Sequence, residues 1–156
     1  MSALHHQLLE TPVGWLHLTG SSEGLHALRF LDSPPDLPVA ETPLLVAARR
    51  QLQAYFDGTL TAFDLPLLPA GTPFQRRVWA ALAEIPFGRT RSYGDIATTL
   101  GDPKSVRAVG LANGRNPLPI VLPCHRVIGK DGRLIGYGGG LWRKEWLLRH
   151  EGVLLA

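Results

Sequence analysis

The single cysteine of this 156-residue chain, Cys124, stands between Pro123 and His125 at the end of the apolar run Ile120-Val121-Leu122. A thiol beside an imidazole can become a nucleophile: the imidazole accepts the thiol proton, and a carboxylate behind it orients the ring and stabilises the charge. Such a carboxylate is available at Glu151, in the segment His150-Glu151-Gly152 that closes the last expected helix. Together these groups are the ingredients for a thiolate near neutral pH. Pro123 fixes the backbone entering the cysteine and removes an amide donor, so Cys124 is expected on a bend rather than in a strand. Each residue also has a plain structural reading. A lone cysteine is usually an inert buried thiol, and Glu151 can simply solvate the end of its helix.

Positioning these groups requires a folded chain, and the composition supplies one. Hydrophobic residues make up 45% and charged residues 19%, which excludes a disordered segment and fits one medium domain or two small ones. The formal charge of +3 permits a polyanionic partner without demanding one. Its distribution says more: of the 16 Lys and Arg, only Arg29, Arg49 and Arg50 precede Phe74. Any phosphate-binding surface is therefore expected on the second half. One cysteine cannot form an internal disulfide. Residues 1–10 carry no basic region leading into an apolar segment, and no apolar run is long enough to span a bilayer. The expectation is a cytoplasmic protein with no membrane partner.

Residues 5–31 read as short strands, with Thr11-Pro12-Val13-Gly14 and Ser21-Ser22-Glu23-Gly24 as turn clusters, which suggests an antiparallel meander. Pro34, Pro35, Pro38 and Pro43 make residues 32–43 an extended connection. Residues 44–56 form an amphipathic helix with Leu44, Ala48, Leu52 and Phe56 inward, ended by Gly58. Residues 59–69, with Pro66 and Pro69, read as a link between domains. The division is an N-terminal sheet domain over 1–70 and a C-terminal domain over 71–156.

From Gly71 the pattern turns helical. Thr72 as cap and Pro73 at the first position introduce a helix burying Phe74, Val78, Leu82 and Ile85, which Pro86 and Gly88 end. Ser92-Tyr93-Gly94-Asp95 is a capping box opening a short helix through Leu100, which Gly101 stops, and Asp102-Pro103 starts a second reaching about Asn113. Two helices joined this tightly outline a helix-turn-helix, a shape that does not by itself imply DNA. At roughly 100° per residue, Val106 and Val109 face the core while Ser105, Ala108 and Ala112 share an outward arc beside Arg107. A flat face of small side chains lets a backbone approach a groove, and it equally suits helix packing. Residues 114–119 form a loop carrying Arg115 and Asn116, and Lys130-Asp131-Gly132 marks a turn. The loop Gly136-Tyr137-Gly138-Gly139-Gly140 lacks the strand and crossover of a dinucleotide site, so its glycines are read as allowing close backbone approach to a ligand or a neighbouring segment. A final helix over 141–151 is expected to bury Leu141, Trp142, Trp146 and Leu148.

Taken together, these segments closely resemble the O6-alkylguanine-DNA alkyltransferases, also called methylated-DNA-protein-cysteine methyltransferases. The resemblance covers residues 72–152 through Phe87-Gly88, Ser92-Tyr93, Arg107-Ala108-Val109-Gly110, Asn116-Pro117, Pro123-Cys124-His125-Arg126-Val127, Gly139-Gly140-Leu141 and Lys144-Glu145-Trp146-Leu147-Leu148. The first 70 residues resemble the family's more variable N-terminal domain mainly in architecture. The resemblance implies an α+β protein: a small antiparallel sheet with helical cover, ribonuclease H-like, followed by a mainly helical, winged-helix-like domain holding the helix-turn-helix. It implies a single, suicidal transfer of an alkyl group from O6-alkylguanine, with O4-alkylthymine as a further substrate to test, to Cys124 after the nucleotide is flipped out of duplex DNA. His125 would be the base, through a water, held by Glu151. Asn116 would tie the recognition helix to the active-site turn. Tyr93 would crowd the DNA backbone and donate to the departing guanine, and Arg107 would fill the vacated space. Ser105, Ala108, Ala112 and Arg115 would meet the DNA, and Val127, Tyr137 and Gly138 would line the base pocket. The partner implied is double-stranded DNA containing O6-alkylguanine, with no cofactor, no metal and a monomeric free form.

The chain departs from the family pattern in places. Gly138 stands where many relatives carry a hydrogen-bonding side chain, and Leu111 is larger than the small residue common on the recognition helix. Some relatives bind zinc through N-terminal cysteines and histidines, whereas His5, His6, His17 and His26 read as ordinary strand residues here. Two other classes of function remain open: a damage sensor that binds alkylated DNA without reacting, which the presence of Cys124 disfavours, and a cysteine hydrolase built on Cys124, His125 and Glu151.

Overall fold

Strands β1 (His5–Thr11), β2 (Gly14–Gly20) and β3 (Leu25–Leu31) run as an antiparallel meander in the order β1-β2-β3. The register pairs Leu9 with Leu16 and Gln7 with Leu18, placing Leu9, Leu16, Leu18 and Leu28 on one buried face. Helix α1 (Pro43–Phe56) covers that face. Thr42 caps it by accepting from the Leu45 amide at 3.2 Å, and Pro43 takes the first helical position rather than the connection expected from its neighbours. The inward stripe is Leu45, Ala48, Leu52 and Tyr55. The expected stripe of Leu44 and Phe56 with Ala48 and Leu52 steps by four throughout, which drifts off a helix face that repeats every 3.6 residues. Gly58, at φ 81°, closes the helix, with its amide on the Tyr55 carbonyl and that of Thr59 on Ala54.

The computed structural model describes residues 3–153 and Leu155, and its chain divides into two units between Ala70 and Gly71. Within the first unit, residues 59–69 form no helix or strand, bend at Thr61 and Ala62, and are held by a bridge between Leu67 and Leu25.

The second unit is built from α2 (Pro73–Ala83), α3 (Tyr93–Thr99), α4 (Val106–Gly114) and α5 (Leu141–His150), with two short parallel strands, β4 (Arg91–Ser92) and β5 (Val127–Ile128). Capping boxes open α2 at Thr72 and α3 at Ser92. Helix α2 buries Val78, Trp79, Ala81 and Leu82, and Ile85 is buried beyond its end, whereas Phe74 in its first turn is only half-buried. Trp79 is the anchor: its indole donates to the Ala112 carbonyl at 2.8 Å, fixing α4 against α2.

Helix α3 ends as α1 does, with Gly101 at φ 79° and the Asp102 amide on Ala97. Helix α4 does not begin at Asp102-Pro103. Proline disfavours helical backbone at the residue before it, and residues 102–105 form a turn closed by the Ser105 amide on Asp102. The helix starts at Val106 with Ser105 as its cap residue.

Candidate active site and nucleic-acid interface

The bend at Cys124 is a 3-10 turn, Cys124–Arg126, entered through Pro123 at φ −79° and ψ 66°. That geometry is an inverse γ-turn, and the Cys124 amide accordingly reaches the Leu122 carbonyl at 2.7 Å. Four residues earlier, Ile120 has φ 74°, the only positive φ of a non-glycine among the described residues, although it is β-branched and buried. Such a conformation costs on the order of 1–3 kcal/mol and persists only where its surroundings over-determine it. Here they do. Asn116 accepts from the Leu118 amide at 2.9 Å and donates to the Leu122 carbonyl at 2.7 Å, while the Leu122 amide closes on Leu118 at 2.8 Å. From α4, Asn113 donates to the Cys124 carbonyl at 3.4 Å.

Cys124 is 5% exposed and His125 is fully buried. His125 Nε2 lies 2.7 Å from Glu151 Oε2, just past the end of α5. Arg126 occupies the same carboxylate from the other side: Nε to Oε1 at 2.7 Å and Nη2 to Oε2 at 3.0 Å, with Nη1 on the Ile85 carbonyl at 2.6 Å. Burial alone would raise the Glu151 carboxyl, but the hydrogen bonds and charges of His125 and Arg126 outweigh it and bring it down to about 2. Burial lowers His125, against the pull of Glu151 and with the help of Arg126 and Lys144. Burial likewise pushes the Cys124 thiol up, against Asn116, Lys144 and Tyr137. Both shifts favour a neutral imidazole and a protonated thiol.

A second cation closes the site. Lys144 is fully buried, with Nζ on the carbonyls of Val127 at 2.6 Å, Ile135 at 3.0 Å and Gly136 at 3.3 Å. Burial lowers it to about 8 while Cys124 acts to raise it. The Tyr93 hydroxyl donates to the same Ile135 carbonyl at 3.0 Å. Burial raises the Tyr93 hydroxyl, as does Cys124, against a hydrogen bond from Asn113. The loop bearing Tyr137 and Gly138 is thereby tied to α3 and α5. Gly138 is exposed, and a Cβ there would meet nothing closer than the Gly114 carbonyl at 4.0 Å, so the position has room for a side chain.

The exposed face of α4 carries Arg107, Ala108 and Leu111, with Arg115 at its C-terminal cap. Gly110 lies under the Tyr93 ring.

The C-terminal 73–153 match the model of the 6-O-methylguanine DNA methyltransferase DNA-binding domain, and residues 4–69 match the ribonuclease-like domain of the same proteins. The chain belongs to the 6-O-methylguanine DNA methyltransferase family. It is 49% identical to the methylated-DNA--protein-cysteine methyltransferase of Methanosarcina acetivorans, over 96% of this chain and 99% of that one. It is 51% identical to the protein of that name in Mycolicibacterium paratuberculosis, over 95% and 92%. Among solved structures it is similar to the O6-methylguanine methyltransferase of Mycobacterium tuberculosis, with TM-score 0.86 and 48% identity over 96% of this chain and 93% of that chain. A structure of the M. tuberculosis protein in complex with DNA matches equally well, with TM-score 0.86 and 49% identity over 95% and 93%.

Within this methyltransferase frame the structure corrects several positions. Ala112 is buried at 3% and lies on the inward face of α4 with Val109 and Asn113, while Val106 is 41% exposed. The expected assignment reversed the two because both lie about 60° from the buried Val109, on opposite sides, so spacing does not choose between them; the Trp79 indole on the Ala112 carbonyl pins Ala112 inward, and Val106 is left at the free end of the first turn. Ser105 precedes the helix and spends its hydroxyl on the Asp102 carbonyl at 2.7 Å. In α5, Leu141 and Trp142 are exposed and Trp146 is half-buried, and the inward face is Arg143, Lys144, Leu147 and Leu148. Asn116 ties the loop after α4 to the active-site turn, and the direct tie from α4 itself is Asn113. Arg126, Lys144 and Asn113 are the site residues that residue-type reasoning missed. The one signal for Arg126 and Lys144 is their place inside the motifs Pro123-Cys124-His125-Arg126-Val127 and Lys144-Glu145-Trp146-Leu147-Leu148, since by residue type each reads as a solvated charge. Among the described residues, no helix is long and apolar enough to cross a membrane.

Proposed function

We propose that this protein repairs O6-alkylguanine in double-stranded DNA by transferring the alkyl group, once per molecule, to Cys124. The observation that carries this reading is the buried Cys124–Arg126 turn with His125 on Glu151 at 2.7 Å, in a chain of this family. The guanine O6 is paired inside the duplex, so a buried thiol reaches it only after the nucleotide is extruded, at a cost of a few kcal/mol. Arg107, exposed on α4, fills the space left behind, with Ala108 and Leu111 against the groove and Arg115 on the backbone. The flipped base enters between Val127 and the Tyr137-Gly138 loop.

Nε2 of His125 donates to Glu151, so the proton of the Cys124 thiol passes to Nδ1, through a water because neighbouring side chains on a 3-10 turn diverge. Sulfur attacks the alkyl carbon, an S–C bond forms and the C–O6 bond breaks. Tyr93 gives its hydroxyl proton to the departing guanine and recovers one from His125, so the thiol proton ends on the base. For this Tyr93 must release the Ile135 carbonyl. The thioether has no good leaving group in water, which makes the transfer final. The protein acts as a cytoplasmic monomer without cofactor or metal, its second unit binding DNA and accepting the alkyl group.

Intact-protein mass spectrometry after mixing with excess duplex carrying one O6-methylguanine tests the reading. One methyl, mapped to Cys124 and saturating at one per protein, is expected; an unchanged mass with lesion-selective binding would make the protein a damage sensor. Arg107→Ala should slow transfer from duplex at least roughly tenfold more than transfer from a free modified base, since only the former needs the gap filled. Equal losses on both substrates would remove Arg107 from base extrusion.

A further inference from the structure

We propose that Arg126 is the positioning residue that keeps His125 a neutral base: by occupying Glu151, it lets the carboxylate orient the imidazole without protonating it. Only the consequence for transfer rate rests on the alkyltransferase reading above. The geometry is specific. Both Glu151 oxygens are held by the Arg126 guanidinium, at 2.7 and 3.0 Å, and Oε2 is shared with His125 Nε2. The third guanidinium nitrogen is fixed on the Ile85 carbonyl. His125, Arg126 and Glu151 are all buried, so their charges interact with little screening from water.

A buried Glu–His pair with no third member would lower its energy by drawing a proton onto the imidazole, because an isolated carboxylate is costly inside a protein and an ion pair compensates it. Arg126 removes that incentive. The charged groups that bear on His125 are Glu151, Arg126 and Lys144. With Glu151 matched by Arg126, the remaining charge is the Lys144 ammonium, which opposes a second cation. The imidazole stays neutral, Nε2 is its N–H, and Nδ1 carries the lone pair. That nitrogen is buried with no hydrogen-bond partner, the state a general base needs before it takes a proton.

The experiment is a titration of the full-length protein labelled with 15N-histidine, as wild type, Arg126→Met and Arg126→Lys. In the wild type, His125 should take a proton only below the ordinary histidine value of about 6.5. In Arg126→Met it should be protonated at pH 7, at least about one unit higher, and Arg126→Lys should return it toward wild type. Protonation supplies the missing counter-charge, so Arg126→Met should fold, and the pH dependence of its stability should change sign. In the wild type the folded value of His125 lies below the unfolded one, so its contribution is lost as pH falls. In Arg126→Met the folded value lies above it, so the contribution is full below about 6.5 and is lost as pH rises through the folded value. At pH 7 transfer should slow roughly tenfold for each unit by which His125 rises above that pH. Unmoved His125 titration in Arg126→Met would overturn the proposal, as would a stability profile of unchanged sign. If Arg126→Met does not fold, Arg126→Gln, which keeps a donor without the charge, decides by the same titration: a raised His125 supports the role and an unmoved one refutes it. Neither titration nor stability requires alkyl transfer. Normal transfer by Arg126→Met with an unmoved His125 would therefore refute Arg126's role alone, and a wild type that transfers no alkyl group, beside a raised His125 in Arg126→Met, would refute the alkyltransferase reading alone.

Discussion

Two histidine contacts in this protein have nearly the same length and opposite settings. On the sheet, His6 Nδ1 and His17 Nε2 lie 2.9 Å apart, both side chains half-buried on the face away from α1. At the turn, His125 Nε2 and Glu151 Oε2 lie 2.7 Å apart, both side chains sealed from water. Both His17 and His125 are lowered, and in both burial is the largest cause; for His17, His6 and Arg29 add to it. The difference is in what happens when the contact is lost. Water replaces either partner of the sheet pair, so breaking it costs little. At the turn both side chains are sealed from bulk solvent, and removing one partner strands the others. Contact length therefore says little about constraint, and the surrounding medium says most of it.

The largest expected effect falls where the buried turn carries chemistry. Cys124→Ala should abolish alkyl transfer, read by mass, while duplex binding measured by fluorescence anisotropy stays within about twofold, because Ala fits the space and the exposed α4 face is untouched. Loss of binding would mean that the turn and the reading face are one device rather than two. Next in size is Glu151→Gln. It leaves the Arg126 guanidinium buried without its counter-charge and should cost about 3–5 kcal/mol in urea unfolding. A cost below about 1 kcal/mol would place the buried cluster in the class of the sheet pair and end the contrast.

Acid sharpens the same point. Glu151 sits at about 2 against an ordinary 4.5, a depressed value, so its contribution is present above the unfolded value and lost as pH falls from there toward 2. That is worth roughly 3 kcal/mol. Wild type should therefore lose stability between pH 5 and 2 more steeply than Glu151→Gln. Parallel curves for the two proteins would assign the acid sensitivity to other carboxylates.

What the sequence makes legible follows from the range of each rule. Thr72, Pro73, Ser92, Asp95, Gly58 and Gly101 act within a few residues of themselves, and the ends they mark lie where expected. The juxtaposition of His125 with Glu151 was readable from residue types, since few other roles suit a carboxylate and an imidazole near a lone cysteine. The rotation of short helices was not. In α5 the inward face holds Lys144 because the loop of residues 127–136 presents carbonyls there, and Arg143 because Gly139 presents another, and no periodicity encodes a carbonyl. In α4 the indole of Trp79, thirty-three positions away, decides which alanine turns inward. Arg126 was hidden for a related reason. Beside a histidine it reads as solvated charge, and only the fold brings the end of α5 and the Ile85 carbonyl to it.

The smallest expected effect lies at the other end of the contrast. His17→Ala removes one imidazole from the sheet pair and leaves His6 with the Thr19 hydroxyl at 3.3 Å and open access to water. The strand register stays pinned by Leu16 and Leu18 on the buried face, so the backbone has no reason to shift. The stability change should lie within about 0.5 kcal/mol, measured by urea unfolding at pH 7, and transfer should be unaltered. Because His17 is lowered in the folded chain, the difference should change as pH falls through about 6.5, where wild type loses the contribution of the neutral ring. A loss above about 2 kcal/mol would show that the sheet pair is as constrained as the buried one. Exposure would then be the wrong variable, and the sharing of a proton between two rings would be the right one.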